Sequence, residues 1–356
     1  MDRVIHQRQL LGRRACRLAF GTALCLAVSF GIDLPIPIIA PVFAVFLFAS
    51  VPRPLSPKAG LGLVLLVALT TGSGLLLAPL LRYYFMAGVL CVGLGLFLAF
   101  RYGLQGGNQL VSTFLAAGLT MISAAGTADI QLALTVVGAL VKGLLLAVLV
   151  PGIGHALFPE PVTAPRPPAR AVATPEEATR LALRAALVVL PAFLLALADP
   201  SSYMPIIMKS VSLGRQSCTA TARSAARELL GSTLLGGAMA IVFWFALKWF
   251  VHLWMFFLWM LLFGLLVARR LYRLVPSRGT PGFWLNSLVT LVILLGQSVQ
   301  DSAAGKDVYT AFIVRMGLFV AVTLYACLMV QLLDAKPRLR KASTRAPARS
   351  APQPPR

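Results

Sequence analysis

Lys209 stands in an apolar stretch with Ser212 and Gln216 three and seven residues beyond it, a spacing that puts all three on one face of a helix. An ammonium beside neutral donors, inside a low-dielectric surrounding, is suited to holding a carboxylate. A second polar stripe, Asn286, Thr290, Gln297 and Asp301, falls at i, i+4, i+11 and i+15 and stays within about 60° of arc at 100° per residue. That face looks into a polar cavity or a neighbouring helix. Lys209, Ser212, Gln216, Asn286, Thr290 and Gln297 are therefore the candidate anion-binding residues. Asp199 and Asp301 sit at outer helix ends, and as partly buried carboxyls they are the candidate proton-coupling groups. Structural roles compete with each assignment: snorkelling or ion pairing for the lysine, interhelical hydrogen bonding for the stripe, and helix capping or solvation for Asp33, Asp129 and Asp307. Arg315 and Lys142 also lie within apolar segments. Arg315, two turns beyond Asp307 on nearly the same face, calls for an acidic partner.

Other chemistries find no constellation. His6, His155 and His252 are far apart, and Cys16, Cys25, Cys91, Cys218 and Cys327 are scattered without paired spacing, so no hydrolytic triad, metal set or disulfide framework is read. The glycines of Thr70-Thr71-Gly72-Ser73-Gly74 and of the Gly231–Gly237 segment lie in apolar runs with no following Lys-Ser/Thr. They are close-packing positions between helices rather than phosphate loops. No enzyme, cofactor or metal is expected.

The elements that must position these residues follow from composition. Of the 356 residues 58% are hydrophobic and 12% charged, against roughly 25% charged in a soluble domain. The apolar runs are continuous rather than alternating, which selects membrane-spanning helices over a barrel. We expect an all-α polytopic protein of about twelve spans, at 17–30, 36–50, 60–81, 85–100, 110–124 and 130–156, then 181–197, 203–218, 228–247, 253–268, 283–300 and 308–333. Some are short for a core of about 30 Å, so tilt or incomplete crossing is allowed for. The net charge of +21 is distributed as alternating dense and sparse loops, a topology signal and not a nucleic-acid surface. It places both termini in the cytoplasm of a bacterial inner membrane, with an uncleaved first helix after the arginines at 3, 8, 13, 14 and 17. The segments are a basic N-terminus at 1–16, a six-helix repeat at 17–158 and a Pro-rich cytoplasmic linker at 159–180. A second six-helix repeat at 181–334 and a basic, Pro-rich disordered tail at 335–356 follow. The tail is suited to the anionic leaflet.

The repeat is carried by paired anchors. Arg17 and Arg184 each open a helix that ends near Asp33 or Asp199, followed by Pro37-Ile38-Ile39 or Pro205-Ile206-Ile207. Ser123-Ala124-Ala125-Gly126 recurs as Ser302-Ala303-Ala304-Gly305, with Asp129 and Asp307 just beyond. An even number of spans per repeat makes the two halves parallel, and the crevice between them is the natural site.

The second half also carries a family resemblance. Arg227-Glu228-Leu229-Leu230-Gly231-Ser232-Thr233-Leu234-Leu235-Gly236-Gly237 resembles the Arg then Gly-Thr-x-x-Gly pattern of the fusaric acid resistance and aromatic acid exporter superfamily. Leu34-Pro35, Ala40-Pro41-Val42-Phe43-Ala44 and Pro52-Arg53-Pro54 look like an uncharacterised bacterial branch of it. The resemblance covers nearly all of residues 17–333. It implies proton-driven efflux of aromatic or other small organic acids beside a periplasmic membrane-fusion adaptor, with plant malate channels as distant relatives. The chain departs from many such exporters in lacking large cytoplasmic domains after each helical set. The rival expectations are a passive anion channel and a non-transporting envelope scaffold. A major-facilitator carrier ranks lower because its Gly-x-x-x-Asp-Arg signature is missing from residues 50–60.

Overall fold

The computed structural model describes residues 2–50, 56–160, 173–218, 224, 226–277 and 279–334. The Pro52-Arg53-Pro54 motif, most of the Pro-rich linker and the tail lie outside them. The helices are α1 (Asp2–Gly31), α2 (Ile39–Ser50), α3 (Pro57–Tyr83), α4 (Phe85–Leu104), α5 (Gln109–Ala128) and α6 (Ile130–Leu157). The second set is α7 (Pro175–Ala198), α8 (Pro200–Ser217), α9 (Gly231–Trp249), α10 (Leu253–Leu271), α11 (Pro281–Ala303) and α12 (Val308–Asp334). A π-helical turn, Ala226–Leu230, leads into α9. No strand occurs among the described residues, and the chain is an all-α, multi-pass membrane protein.

Ten of these helices are long and apolar enough to cross a membrane; α2 and α8 are the two that are not. The reason differs for each. With 12 residues, α2 reaches only about 18 Å at 1.5 Å per residue. The polar side chains of Lys209, Ser210, Ser212, Arg215 and Gln216 make α8 too hydrophilic. Both helices are nearly wholly buried, from Ile39 to Phe48 and from Met204 to Leu213, so neither has to satisfy lipid. The large exposed apolar side chains lie instead on α3, α4, α6, α9, α10 and α12, for example Leu69, Leu90, Leu149, Trp254 and Ile313. They form the lipid-facing wall.

Packing repeats between the halves. α1 packs on α2 as α7 does on α8, α3 on α5 as α9 on α11, and α2 on α6 as α8 on α12. Across the halves α1 lies against α10 while α7 lies against α4, and α5 touches α8 while α11 touches α2. Exchanging the two sets of six leaves this list of neighbours unchanged, which is the signature of an approximate two-fold relation.

Small residues allow the closest approaches. A Cβ on Gly236 of α9 would fall 2.7 Å from the Ser287 carbonyl oxygen of α11. At the matching α3–α5 contact a Cβ on Gly118 would meet Thr71. The repeated acids serve as punctuation: Asp129 accepts the Gln131 N–H at the start of α6 and Asp307 that of Tyr309 at the start of α12, each at 3.1 Å, as N-caps do. The shared Ser-Ala-Ala-Gly motif has diverged, since Gly305 adopts φ +69° just beyond α11 whereas Gly126 stays inside α5 against Ala78.

The repeat anchors Arg17 and Arg184 are both buried but tie to different groups. Arg184 donates to the Ser217 carbonyl at the end of α8. Arg17, with Arg14, pairs with Glu160 just after α6. Burial pushes the Glu160 carboxyl upward, but the hydrogen bonds and charges of the two arginines prevail and hold it below its ordinary 4.5. A depressed carboxyl contributes stability that is complete above the unfolded-state value and is lost as the pH falls through the lower folded-state value. Thermal unfolding of the detergent-solubilised protein should therefore separate the wild type from Glu160→Gln by several degrees at pH 7. The two curves should converge only as the pH falls below 4.5 through the lowered folded-state value; a separation at about pH 2 as large as that at pH 7 would contradict this assignment.

Candidate functional site

Polar rungs run along the seam where α8 and α11 pass antiparallel. Gln216 donates from Nε2 to the Gly282 carbonyl at 2.8 Å. One turn deeper, the Ser212 hydroxyl lies 3.5 Å from Asn286 Oδ1. Deeper still, Lys209 donates from Nζ to Asn286 Oδ1 at 3.0 Å and to Thr290 Oγ1 at 2.6 Å. The helical period aligns i, i+3 and i+7 of α8 against i and i+4 of α11, as the sequence spacing predicts.

Neighbouring bonds fix the orientation of each rung. Asn286 donates from Nδ2 to Ser232 Oγ at 2.7 Å, which turns its carbonyl oxygen toward the lysine. The Thr290 hydroxyl donates to the Asn286 backbone carbonyl at 2.7 Å, leaving its oxygen as an acceptor for Nζ. Gly236 places α9 close enough behind α11 to support this arrangement. Lys209, Asn286, Thr290 and Ser232 are all 0% exposed. The Phe319 ring of α12 lies 5.9 Å from Nζ, at the outer limit for an attraction between a cation and a ring face. Among the described residues no carboxylate lies within ion-pairing distance of Lys209; the ion pairs join Glu160 to Arg14 and Arg17, and Asp301 to Arg315.

Below the ladder lies a cavity of about 360 Å³. Its walls are the ends of α2 (Ala49, Ser50), α4 (Gly103, Leu104) and α5 (Gln109, Ser112), facing the matching ends of α8 (Arg215, Gln216), α10 (Leu271, Tyr272) and α11 (Gly282, Leu285). Corresponding helices of the two sets of six, α2 and α8, α4 and α10, and α5 and α11, thus all contribute to the lining. Its size is that of a small-ligand pocket. Arg215 provides its positive charge, with the guanidinium 4.2 Å from the Phe46 ring centroid. The Gln216–Gly282 contact belongs both to the cavity wall and to the foot of the ladder, and separates the cavity from Lys209.

The structure gathers some of the residues singled out from sequence and disperses others. Lys209, Ser212, Asn286 and Thr290 form one cluster, and Gln216 links it to the cavity. Gln297 donates instead to Gln300 Oε1 at 2.9 Å. Asp301 receives both terminal nitrogens of Arg315, so Arg315 finds its acid at Asp301 and not at Asp307. Asp199 accepts the Ser202 N–H at 3.3 Å and caps α8. Lys142 is exposed on α6. Arg215 and Ser232 were not singled out. Arg215 registers in the sequence only as one more basic residue at a helix end, and Ser232 as part of a small-residue packing segment.

Residues 14–152 match the profile of a family described as a protein of unknown function (DUF2955). The match runs from within α1 to most of α6. Comparisons with curated proteins and with solved structures return no match.

Proposed function

We propose that this chain is a bacterial inner-membrane exporter of small organic acids, aromatic carboxylic acids above all, with both termini in the cytoplasm. The observation that carries the reading is a fully buried lysine amine with only neutral protein partners, two polar rungs above a cavity that carries Arg215 on its wall. A buried charge in a membrane costs at least about 2.5–3.5 kcal/mol, so a lysine kept there without a carboxylate partner is a functional residue by default. An anion is the complement it lacks. The cavity lies at the helix ends next to the basic loops, which by the positive-inside rule face the cytoplasm. An organic anion is met there first by Arg215 and the Phe46 ring, then passed to Lys209 when the Gln216–Gly282 contact opens. The resemblance to the aromatic acid exporters supports the substrate class and a periplasmic membrane-fusion adaptor as partner.

Growth of a strain lacking the gene, challenged with a panel of benzoates, phenolic acids and short dicarboxylates, tests this reading. The deletion should lower the inhibitory concentration of at least one class several-fold and raise its cytoplasmic accumulation. Restoring the wild-type gene should reverse both effects, and Arg215→Gln should reverse them only in part. Identical growth and accumulation across the panel would remove the proposal.

A further inference from the structure

The hydrogen bonds of Lys209 raise a question that its burial alone does not: which protonation state do they fit? An ammonium has three N–H donors, yet Nζ has two hydrogen-bond acceptors among the described residues, Asn286 Oδ1 and Thr290 Oγ1. Both are fixed as acceptors by their own outward bonds to Ser232 and to the Asn286 carbonyl. Two acceptors match the two N–H bonds of a neutral amine. A third donor would meet only the Phe319 ring at 5.9 Å, and an ionised group with an unfilled donor in a site closed to water is costly.

The packed elements supply no compensating carboxylate. α5 has no acidic or basic side chain. On α7, Glu176, Glu177 and Arg180 lie in the first two turns, toward the cytoplasmic end, and Arg184 donates to the Ser217 carbonyl. On α8 itself, Tyr203 and Arg215 each stand six residues from Lys209, about 9 Å along the axis. On α11, Asp301 is held by Arg315 of α12. The remaining titratable residues of α12 are Tyr309, Tyr325 and Cys327, which bear no charge near neutral pH, and Asp334, which closes the helix about 22 Å along its axis from Phe319.

We propose that Lys209 takes up one proton when an organic anion enters the cluster, so that anion and proton occupy the site together and cross the membrane as an electroneutral pair. This rests on the exporter reading above and adds its coupling rule. The lone pair of Nζ takes a proton from a cytoplasmic hydronium ion, so that one N–H bond forms as one O–H bond breaks and a water molecule is left in bulk solvent, and the third N–H turns toward the incoming carboxylate. The carboxylate supplies both the missing acceptor and the counter-charge. On the outer side, loss of the anion leaves the ammonium uncompensated again, and the proton follows. Neither Asp301, engaged with Arg315, nor Asp199, capping α8, is then the group that carries the proton. Export driven this way draws on the anion's own gradient and is opposed by an acidic exterior.

Purified wild-type protein in detergent, titrated with benzoate at pH 8 in weak buffer with an indicator dye, tests the proposal, with binding followed in parallel by calorimetry. One proton should be taken up per benzoate bound. The Kd should weaken about tenfold per pH unit between pH 8 and 10, as linkage to a single proton requires. Benzoate binding with no proton uptake and a flat Kd would overturn the coupling while leaving the exporter reading in place. A Lys209→Met protein that binds benzoate and still takes up the proton would overturn it equally. If neither benzoate nor any other acid of the growth panel binds at all, both proposals fall.

Discussion

Lys209→Met reduces export of the transported acid by about a hundredfold or more, while the protein still inserts and elutes as a single folded species. The size follows from what is removed. Truncating one partner of a buried, hydrogen-bonded charge pair costs about 2–5 kcal/mol, and each 1.4 kcal/mol is a factor of about ten. Methionine is the informative replacement because its unbranched, adaptable side chain fills the space of the lysine stem beside Phe319 without bringing charge. The fold should survive, since an ionisable side chain inside a membrane helix costs insertion free energy rather than supplying it. The measurement is cytoplasmic retention of labelled acid in the deletion strain carrying either gene, normalised to membrane-inserted protein. Undiminished export by the methionine variant would take Lys209 out of the transport path.

The second large effect is on stability. Asp301→Asn leaves Arg315 without its bidentate partner at a site where both side chains are largely buried. Breaking such a pair from one side costs about 3–5 kcal/mol because the remaining charge stays uncompensated. The apparent Tm in detergent should drop sharply for Asp301→Asn and recover substantially when Arg315→Gln is added. Arg315 lies one turn of α12 from Phe319, the ring above Lys209, so the single variant should also weaken transport through altered α11–α12 packing. A double variant no more stable than Asp301→Asn would mean that the pair is not what holds the two helices together.

The extent to which this site is legible in the sequence depends on whether a helical period or a tertiary rotation decides each contact. Lys209, Ser212 and Gln216 share a face because 3.6 residues make a turn, and the same arithmetic groups Asn286 with Thr290. That the two faces meet follows from the chemistry of polar groups in an apolar environment, which leaves them only each other. Gln297 and Asp301 extend the same stripe, yet lie about 16–22 Å along α11 from Asn286 at 1.5 Å per residue. They reach a different layer, where Gln300 and Arg315 receive them. Spacing from Asp307 gave Arg315 an acid on its own helix, but the α11–α12 hairpin turns Asp301 toward it instead; the rotation of one helix about its axis relative to the next is not written in either period. Arg215 was hidden for another reason. At a helix end a basic residue is expected for topology alone, and only the meeting of the ends of α2, α4, α5, α8, α10 and α11 gives it a cavity to line. Apolar-run reading misleads at α2, which is short, and at α8, which is polar, because burial exempts both from the demands of lipid.

Counterflow in reconstituted vesicles reaches the central claim, that a lysine buried among α8, α11 and α12 carries an organic anion, without the complications of a living cell. Vesicles containing the purified protein and preloaded with unlabelled benzoate should transiently accumulate external labelled benzoate above its equilibrium level, and those containing Lys209→Met should not. Labelled benzoate that enters wild-type vesicles no faster than protein-free ones would contradict the account.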